Sequence, residues 1–461
     1  MSAEESASTR RRDAVRAAVR AGIIDADRPV VGLLDVRGVR DAVAALHAAF
    51  DGAAPVLHAF AVKAASLVPV LRLLADEGMG CEVASAGELA LARAAGVPPS
   101  RTVLDSPAKT HAELREALAR GIAVNADNRE ELARLDALVR SAPTGSVLGV
   151  RVNPQIGGGS IGAMSTATDT SKFGVALRDE GARAWLVRAY AERPWLTRMH
   201  AHVGSQGCPL PLMAEGVRAT YELAEEVNRA VGRRQVRTLD IGGGLPVNFA
   251  SDVVTPTYRD YARLLAATVP GLFDGRYGLV TEFGRSLLAK SGTVLARVEY
   301  TKSAGGRRIA VTHAGAQVAT RTVFAPASWP LRVLAFDARG RPKTGDPVPQ
   351  DVAGPCCFAG DLVAVERPLP PLETGDHVAL LDTGAYYFSN HFQYNSLPRP
   401  GVYGYACAEG RSDAEGGSPS TEEPATEDRV RFVPVRRPQS LDELVEESGG
   451  GPHTGGLSAL R

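Results

Sequence analysis

Between Val56 and Glu282 the sequence alternates eight times between a short, mostly apolar run and a segment of helical spacing. The strand candidates are 56–62, 80–84, 102–105, 122–126, 147–153, 196–203, 236–241 and 277–282. Helix candidates lie between them at 66–78, 86–95, 110–120, 129–140, 179–192, 211–232 and near 257–268. Such alternation implies a parallel sheet. Eight units over about 230 residues favour a closed (β/α)8 TIM-type barrel. The competing open, Rossmann-like sheet would need a G-x-G-x-x-G after the first strand, and none is there.

Outside this stretch the pattern changes. Residues 13–22 have helical spacing behind a frayed N-terminal end, 30–36 reads as a strand and 39–50 as a helix. After Lys290, strand candidates 294–298, 308–311, 318–324, 331–336, 362–365, 378–381 and 429–435 follow one another without helices, punctuated by Pro and Gly. They define a mostly β C-terminal domain of sandwich or barrel type. The expected organisation is an N-terminal extension, flexible or helical, over 1–28, a barrel over 29–289 and a β domain over 290–445. Strand 30–36 is free to pair with the β domain. A Gly-, Ser- and acid-rich insertion at 408–428 has a disordered composition. Residues 441–447 read as a short helix, and 446–461 as a loose tail.

Composition narrows the function classes. Lys plus Arg and Asp plus Glu number 52 each, so nothing favours nucleic acid or an acidic membrane. No apolar run is long enough to span a bilayer. Residues 1–12 have no apolar core, so a secretory leader is not expected. The cysteines, Cys81, Cys208, Cys356, Cys357 and Cys407, show neither a disulfide framework nor zinc-type spacing, which fits a reducing cytoplasm and no metal site.

In a β/α barrel the chemistry sits at the carboxyl ends of the strands. Reading those ends gives Lys63, Glu82, His202 with Ser205, the triplet Gly242-Gly243-Gly244, and Glu282 with Gly284 and Arg285. A lysine ending a buried strand is a candidate amine nucleophile whose pKa desolvation would lower. The glycine triplet lets backbone amides approach an anion, and Gly284-Arg285 and Ser205 add donors. A lysine beside a phosphate site suggests pyridoxal phosphate held as a Schiff base. Glu282 is placed to keep its ring nitrogen protonated and His202 to pack on its face.

The ordered set Ala61-Val62-Lys63-Ala64, Ser171-Lys172-Phe173-Gly174, His202-Val203-Gly204-Ser205, Asp240-Ile241-Gly242-Gly243-Gly244 and Glu282-Phe283-Gly284-Arg285 resembles the alanine-racemase-fold (fold-type III) pyridoxal-phosphate decarboxylases, the diaminopimelate and ornithine decarboxylase family. The C-terminal half agrees, with Gly354-Pro355-Cys356-Cys357-Phe358-Ala359-Gly360-Asp361, Gly384-Ala385-Tyr386, Tyr394-Asn395-Ser396-Leu397-Pro398-Arg399-Pro400 and a final segment through Leu444. The resemblance covers roughly residues 30–445. It implies that Lys63 anchors the cofactor, Glu82 and His202 flank it, and Glu282 binds its ring nitrogen. It also implies that Ser205, Gly243, Gly244, Gly284, Arg285 and Tyr386 surround the phosphate or the substrate carboxylate. Cys357, supplied by the second subunit of a homodimer, would protonate the carbon after carbon dioxide leaves.

The departures bear on the substrate. Glu82 stands where the family usually has Asp, and Phe283 replaces the proline of E-P-G-R. Phe358 replaces the acidic residue that contacts the far amino group of the substrate, and an aromatic ring cannot form that ion pair. The segment binding the distal carboxylate of diaminopimelate survives only as Arg321-Thr322-Val323-Phe324-Ala325, with the arginine but without the tyrosine. Tyr387, His391 and Gln393 are open to other recognition. The expected activity is α-decarboxylation of an amino acid or derivative with altered distal-group recognition. Alternatives are a true diaminopimelate, ornithine or lysine decarboxylase, an amino-acid racemase, and a non-catalytic relative. Family racemases place an arginine at the ring nitrogen, so Glu282 argues against the racemase.

Overall fold

The computed structural model describes residues 3–53, 55–408 and 430–451. The chain divides into two compact units, a β unit of Met1–Gly38, Phe249–Asp252 and Ser291–Arg461, and a barrel unit of Val39–Asn248 and Val253–Lys290. The N-terminal residues therefore go with the β unit. Helix α1 (Ala3–Arg20) begins well before the expected 13 because its polar residues have partners. Arg10 pairs with Asp35 at 2.7 Å and Arg11 with Asp252 at 2.8 Å. Its apolar face, Ala14, Val15 and Ala18, packs into a core with Val31, Leu33, Leu295, Phe336 and Tyr405. Strand β1 (Val30–Asp35) leads directly into α2 (Val36–Ala49), which buries Val39, Val43 and Leu46 at helical spacing.

The barrel strands are β2 (Val56–Ala61), β3 (Gly80–Val83), β4 (Thr102–Leu104), β5 (Ala123–Ala126), β6 (Leu148–Asn153), β8 (Leu196–His200), β9 (Thr238–Asp240) and β10 (Gly278–Thr281); a two-residue β7 (Val175–Ala176) extends β6. All pair in parallel in the order β5-β4-β3-β2-β10-β9-β8-β6, and β5 pairs with β6 to close the ring. The eight expected strands are thus the eight observed. Helices α3 (Val68–Asp76), α4 (Ala86–Ala94), α5 (His111–Arg120), α6 (Arg129–Ser141), α7 (Ala182–Glu192), α8 (Leu210–Val231), α9 (Tyr258–Thr268) and α10 (Arg285–Leu288) follow the strands. Reciprocal caps fix the starts of α5, by Thr110 with Glu113, and of α9, by Thr257 with Asp260. Each cap is worth about 1 kcal/mol.

The β unit continues with β11 (Gly292–Ala304), β12 (Arg307–Thr312), α11 (Ala316–Phe324), β13 (Val333–Phe336), β14 (Val348–Ala353), β15 (Leu362–Leu369), β16 (His377–Leu381), β17 (Val402–Cys407), β18 (Val430–Arg436) and α12 (Leu441–Val445). Its sheet runs β15-β14-β12-β11-β1-β17-β18, with β16 joining β11 to β13. Strand β1 is antiparallel to β11 and parallel to β17. The segment expected as a strand at 318–324 is instead helix α11. The Asp361 carboxylate accepts from the Ala316 N–H at 2.6 Å and so satisfies a first-turn donor, and the helix, kinked at Ala319, buries Val318, Ala319, Thr322 and Val323. Strands β14 and β17 were not expected.

Of the insertion expected at 408–428, residues 409–428 lie outside the described residues, as does 452–461 of the tail. Among the described residues no helix is long and apolar enough to cross a membrane. The five cysteines form no disulfide.

Candidate active site

Strand β2 runs into one 3-10 turn, Val62–Ala64. Its flanking residues Val62 and Ala64 are buried, but the Lys63 side chain is 42% exposed. It is therefore not the desolvated amine expected from its place at a strand end. Its Nζ donates to Glu82 Oε2 at 2.6 Å. The parallel register sets Ala61 opposite Glu82, which brings the two ends together. Burial pushes the Glu82 carboxyl up, with Lys63 opposing. The pair holds a reachable amine in one orientation.

Inside the mouth lies a connected polar row. Asp105, just past β4, accepts from Arg151 Nη1 of β6 at 3.1 Å and lies 3.3 Å from His200 Nδ1 at the end of β8. His200 Nε2 is 3.5 Å from Glu282 Oε2, just past β10, and His202 Nδ1 is 3.6 Å from the same oxygen. Burial would raise the Glu282 carboxyl, but His200 and His202 hold it well below the usual range. Burial would depress the His200 imidazole, yet Asp105, Glu282 and Asp240 push it up to about 9. His202 moves the other way, because burial outweighs its contact with Glu282. Beneath them Asn125 Nδ2 donates to Asp240 Oδ2 at 3.2 Å.

The glycine loops knit the strand ends. A Cβ on Gly244, at φ 94°, would lie 1.9 Å from the Gly204 carbonyl oxygen, beside Ser205, and one on Gly243 would lie 2.1 Å from the Glu282 carbonyl oxygen. A Cβ on Gly284 would meet Ala64 at 2.9 Å, next to Lys63. Only glycine permits these approaches. The Gly243 N–H also donates to His202 Nδ1 at 3.3 Å, and Arg285 is buried one residue beyond Gly284. The structure thus brings together Lys63, Glu82, His202, Ser205, Gly243, Gly244, Glu282, Gly284 and Arg285 at one mouth. Phe283, in place of proline, is fully buried against Tyr258 and Tyr261 of α9.

Residues 36–289 match the family model of the pyridoxal-dependent decarboxylase, pyridoxal binding domain. The chain belongs to the pyridoxal-dependent decarboxylases. It is 32% identical to a diaminopimelate decarboxylase of Pseudomonas aeruginosa over 75% of this chain and 80% of the relative. It is also 32% identical to one of Methanothermobacter thermautotrophicus, over 80% and 84%. The crystal structure of diaminopimelate decarboxylase (I148L mutant) from Helicobacter pylori complexed with L-lysine superimposes with a TM-score of 0.77 at 27% identity, covering 92% of this chain and 97% of that one. The chain is accordingly a PLP-dependent carboxy-lyase of the diaminopimelate decarboxylase type.

The residues present fit the decarboxylases' cofactor. Glu282 Oε1 is buried with no hydrogen-bond partner, an acceptor suited to a protonated ring nitrogen. Lys63 offers an accessible amine for the cofactor's aldehyde.

The other expected residues belong to the β unit. Cys357 is exposed on the turn after β14, and its N–H donates to Asn395 Oδ1 at 2.8 Å. Its neighbour Cys356 is buried, with its thiol pushed up to about 11 by that burial. Phe358 stacks on Phe324, with centroids 5.6 Å apart and planes 7° apart, and meets Tyr394 edge-on at 5.5 Å. Tyr394 stacks on Phe392, which meets Phe324 edge-on, so the four rings form a closed cycle. Arg321 of α11 lies over Tyr386 at 4.5 Å and over Trp329 at 5.0 Å, and its Nη1 is buried with no hydrogen-bond partner. Tyr386 takes φ 67°, a strained setting for a residue with a side chain. Of the open candidates, the Tyr387 hydroxyl is engaged with Thr322 and His391 with the Leu397 carbonyl, while Gln393 is exposed.

Sequence reasoning missed Asp105, Arg151, His200 and Asn395. A signal existed for three of them, since an acid, an arginine and a histidine inside or ending apolar barrel strands must be paired to be buried.

Proposed function

We propose that this protein removes the α-carboxylate of an amino acid, or amino-acid derivative, whose distal end is apolar or bulky rather than a free ammonium. The observation that carries this reading is Phe358. The position where the family has an acid is part of a closed four-ring aromatic cluster. An ammonium brought there would lose water without gaining a counter-charge.

Lys63 Nζ would hold the cofactor covalently, with Glu82 orienting the amine. His202 would lie against the ring, in the neutral form its burial favours. Glu282 would accept from the ring nitrogen. Ser205, Gly243, Gly244, Gly284 and Arg285 would surround the phosphate, joined by Tyr386. Bound there, pyridoxal phosphate supplies the sink for the electron pair left when the bond from the α-carbon to its carboxylate breaks. The Cys357 thiol would deliver the proton that replaces carbon dioxide on the α-carbon. We further propose a homodimer in which Cys357 serves the partner's barrel, on the strength of the family resemblance. The absence of a disulfide among the five cysteines supports a cytoplasmic setting.

A second reading, a diaminopimelate decarboxylase proper, is favoured by the named relatives and by the bare Nη1 of Arg321, which suits a distal carboxylate. One panel followed by carbon dioxide release separates the two. It contains diaminopimelate, ornithine, lysine, arginine, and amino acids with bulky or apolar ends. Turnover confined to the last group is the expected result; efficient turnover of diaminopimelate would overturn the reading of Phe358.

A further inference from the structure

His200 lies between two carboxylates and touches no solvent. Its Nδ1 faces Asp105 at 3.3 Å and its Nε2 faces Glu282 at 3.5 Å, with side-chain exposures of 0%, 4% and 1% in turn. A neutral imidazole has one donor and one acceptor nitrogen. Between two ionised acids it would turn a lone pair toward one of them. An imidazolium turns a positive N–H side toward each, and the two contacts are ion pairs, since neither ring nitrogen makes a hydrogen bond. The surroundings agree from every strand packed against it. Asp240 adds a third buried acid; Arg151 shares, at 3.1 Å, the same Asp105 oxygen that His200 faces, and Arg198 lies 3.8 Å from Asp240, so neither contacts Glu282. His202, the other nitrogen near Glu282, is kept neutral by its own burial.

We propose that His200 is a positioning residue. Held as an imidazolium between Asp105 and Glu282, it keeps Glu282 ionised and aimed, so that Glu282 can keep a proton on the cofactor's ring nitrogen. The inference rests on the reading of Glu282 given above. It assigns the proton-holding function to a line running from Arg151 through Asp105 and His200 to Glu282, not to Glu282 alone. Buried carboxylates without such a partner take up a proton and become neutral. A neutral Glu282 would no longer favour the charged ring.

The test uses the loaded enzyme carrying pyridoxal phosphate labelled with nitrogen-15 in the ring, whose resonance reports directly whether that nitrogen is protonated. In the wild-type protein the resonance is expected in the pyridinium range. His200→Gln and Asp105→Asn are expected to shift it toward free pyridine, as is Glu282→Gln. If Glu282→Gln shifts it and His200→Gln leaves it in place, the inference about His200 fails while the reading of Glu282 stands. If Glu282→Gln has no effect, both fail. Should a variant not fold, nitrogen-15 histidine labelling of the wild type decides. Two protonated ring nitrogens on His200 between about pH 6 and 8 support the proposal, and one unprotonated nitrogen overturns it.

Discussion

Replacing Phe358 by Glu separates the substrate reading from the fold. Phe358 makes two ring contacts, stacked on Phe324 at 5.6 Å and edge-on to Tyr394 at 5.5 Å. Each such pair contributes about 0.5–1.5 kcal/mol beyond the area it buries, so the replacement should cost the β unit about 1–3 kcal/mol. On the substrate side, a charged group left without its partner costs about 1–3 kcal/mol or more. At about 1.4 kcal/mol per tenfold, the new carboxylate should shift the ratio of kcat/KM for diaminopimelate over an apolar-ended amino acid by about 10- to 100-fold toward diaminopimelate. The assay is carbon dioxide release for both substrates by wild type and Phe358→Glu, with a thermal melt and the absorbance of bound cofactor establishing that the variant is folded and loaded. A folded, loaded variant with an unchanged ratio would refute the argument, because the side chain at 358 would then not face the distal group.

Three further outcomes are expected. Cys357→Ala should lower kcat by about 100-fold or more, the usual scale for loss of a positioned acid, with cofactor binding intact; unaltered kinetics and products would remove Cys357 from the reaction. Gly244→Ala places a Cβ 1.9 Å from the Gly204 oxygen at a φ of 94°, so cofactor affinity measured by absorbance titration should fall, whereas Gly232→Ala, also at positive φ but with open space around it, should leave that affinity unchanged. The Asp252 carboxyl is raised by burial but lowered more by Arg332 and Arg11, to about 2. Its contribution is therefore present above the ordinary carboxylate value and lost as pH falls toward 2, so denaturant melts of wild type and Asp252→Asn should converge over that range.

The barrel was legible because its strands are nearly all buried and read as short apolar runs, while the helices between them keep a 3.6-residue stripe. The site residues on loops were legible because glycine runs, a lysine and an acid at strand ends have few structural explanations. The interior row was harder to see. Asp105, Arg151 and His200 sit within or at the end of apolar runs, and only the closing of the ring shows that they face each other. In the β unit, Val318 to Phe324 is rich in β-branched residues and reads as a strand. Its helical form depends on Asp361, a residue distant in sequence that caps its first turn. Strand β14 carries Pro349, Gln350 and Asp351, and β17 is interrupted by Gly404, which packs against Val36. Neither has the pattern of a strand in isolation, and both exist because neighbouring strands complete them.

The pairing of β1 with β11 and β17 has a consequence for synthesis. Both partners of β1 are encoded after the last barrel strand, so in the order of translation the barrel is an insertion inside the β unit. A ribosome adding about 5–20 residues per second needs on the order of tens of seconds to pass from β1 to β11. Over that interval α1 and β1 have emerged with their apolar face and both hydrogen-bonding edges unmatched, while the barrel's eight strands are completed. The N-terminal segment is thus the first part of the β unit to be made and has to wait for the rest, which makes it the stretch of the nascent chain most in need of protection from association.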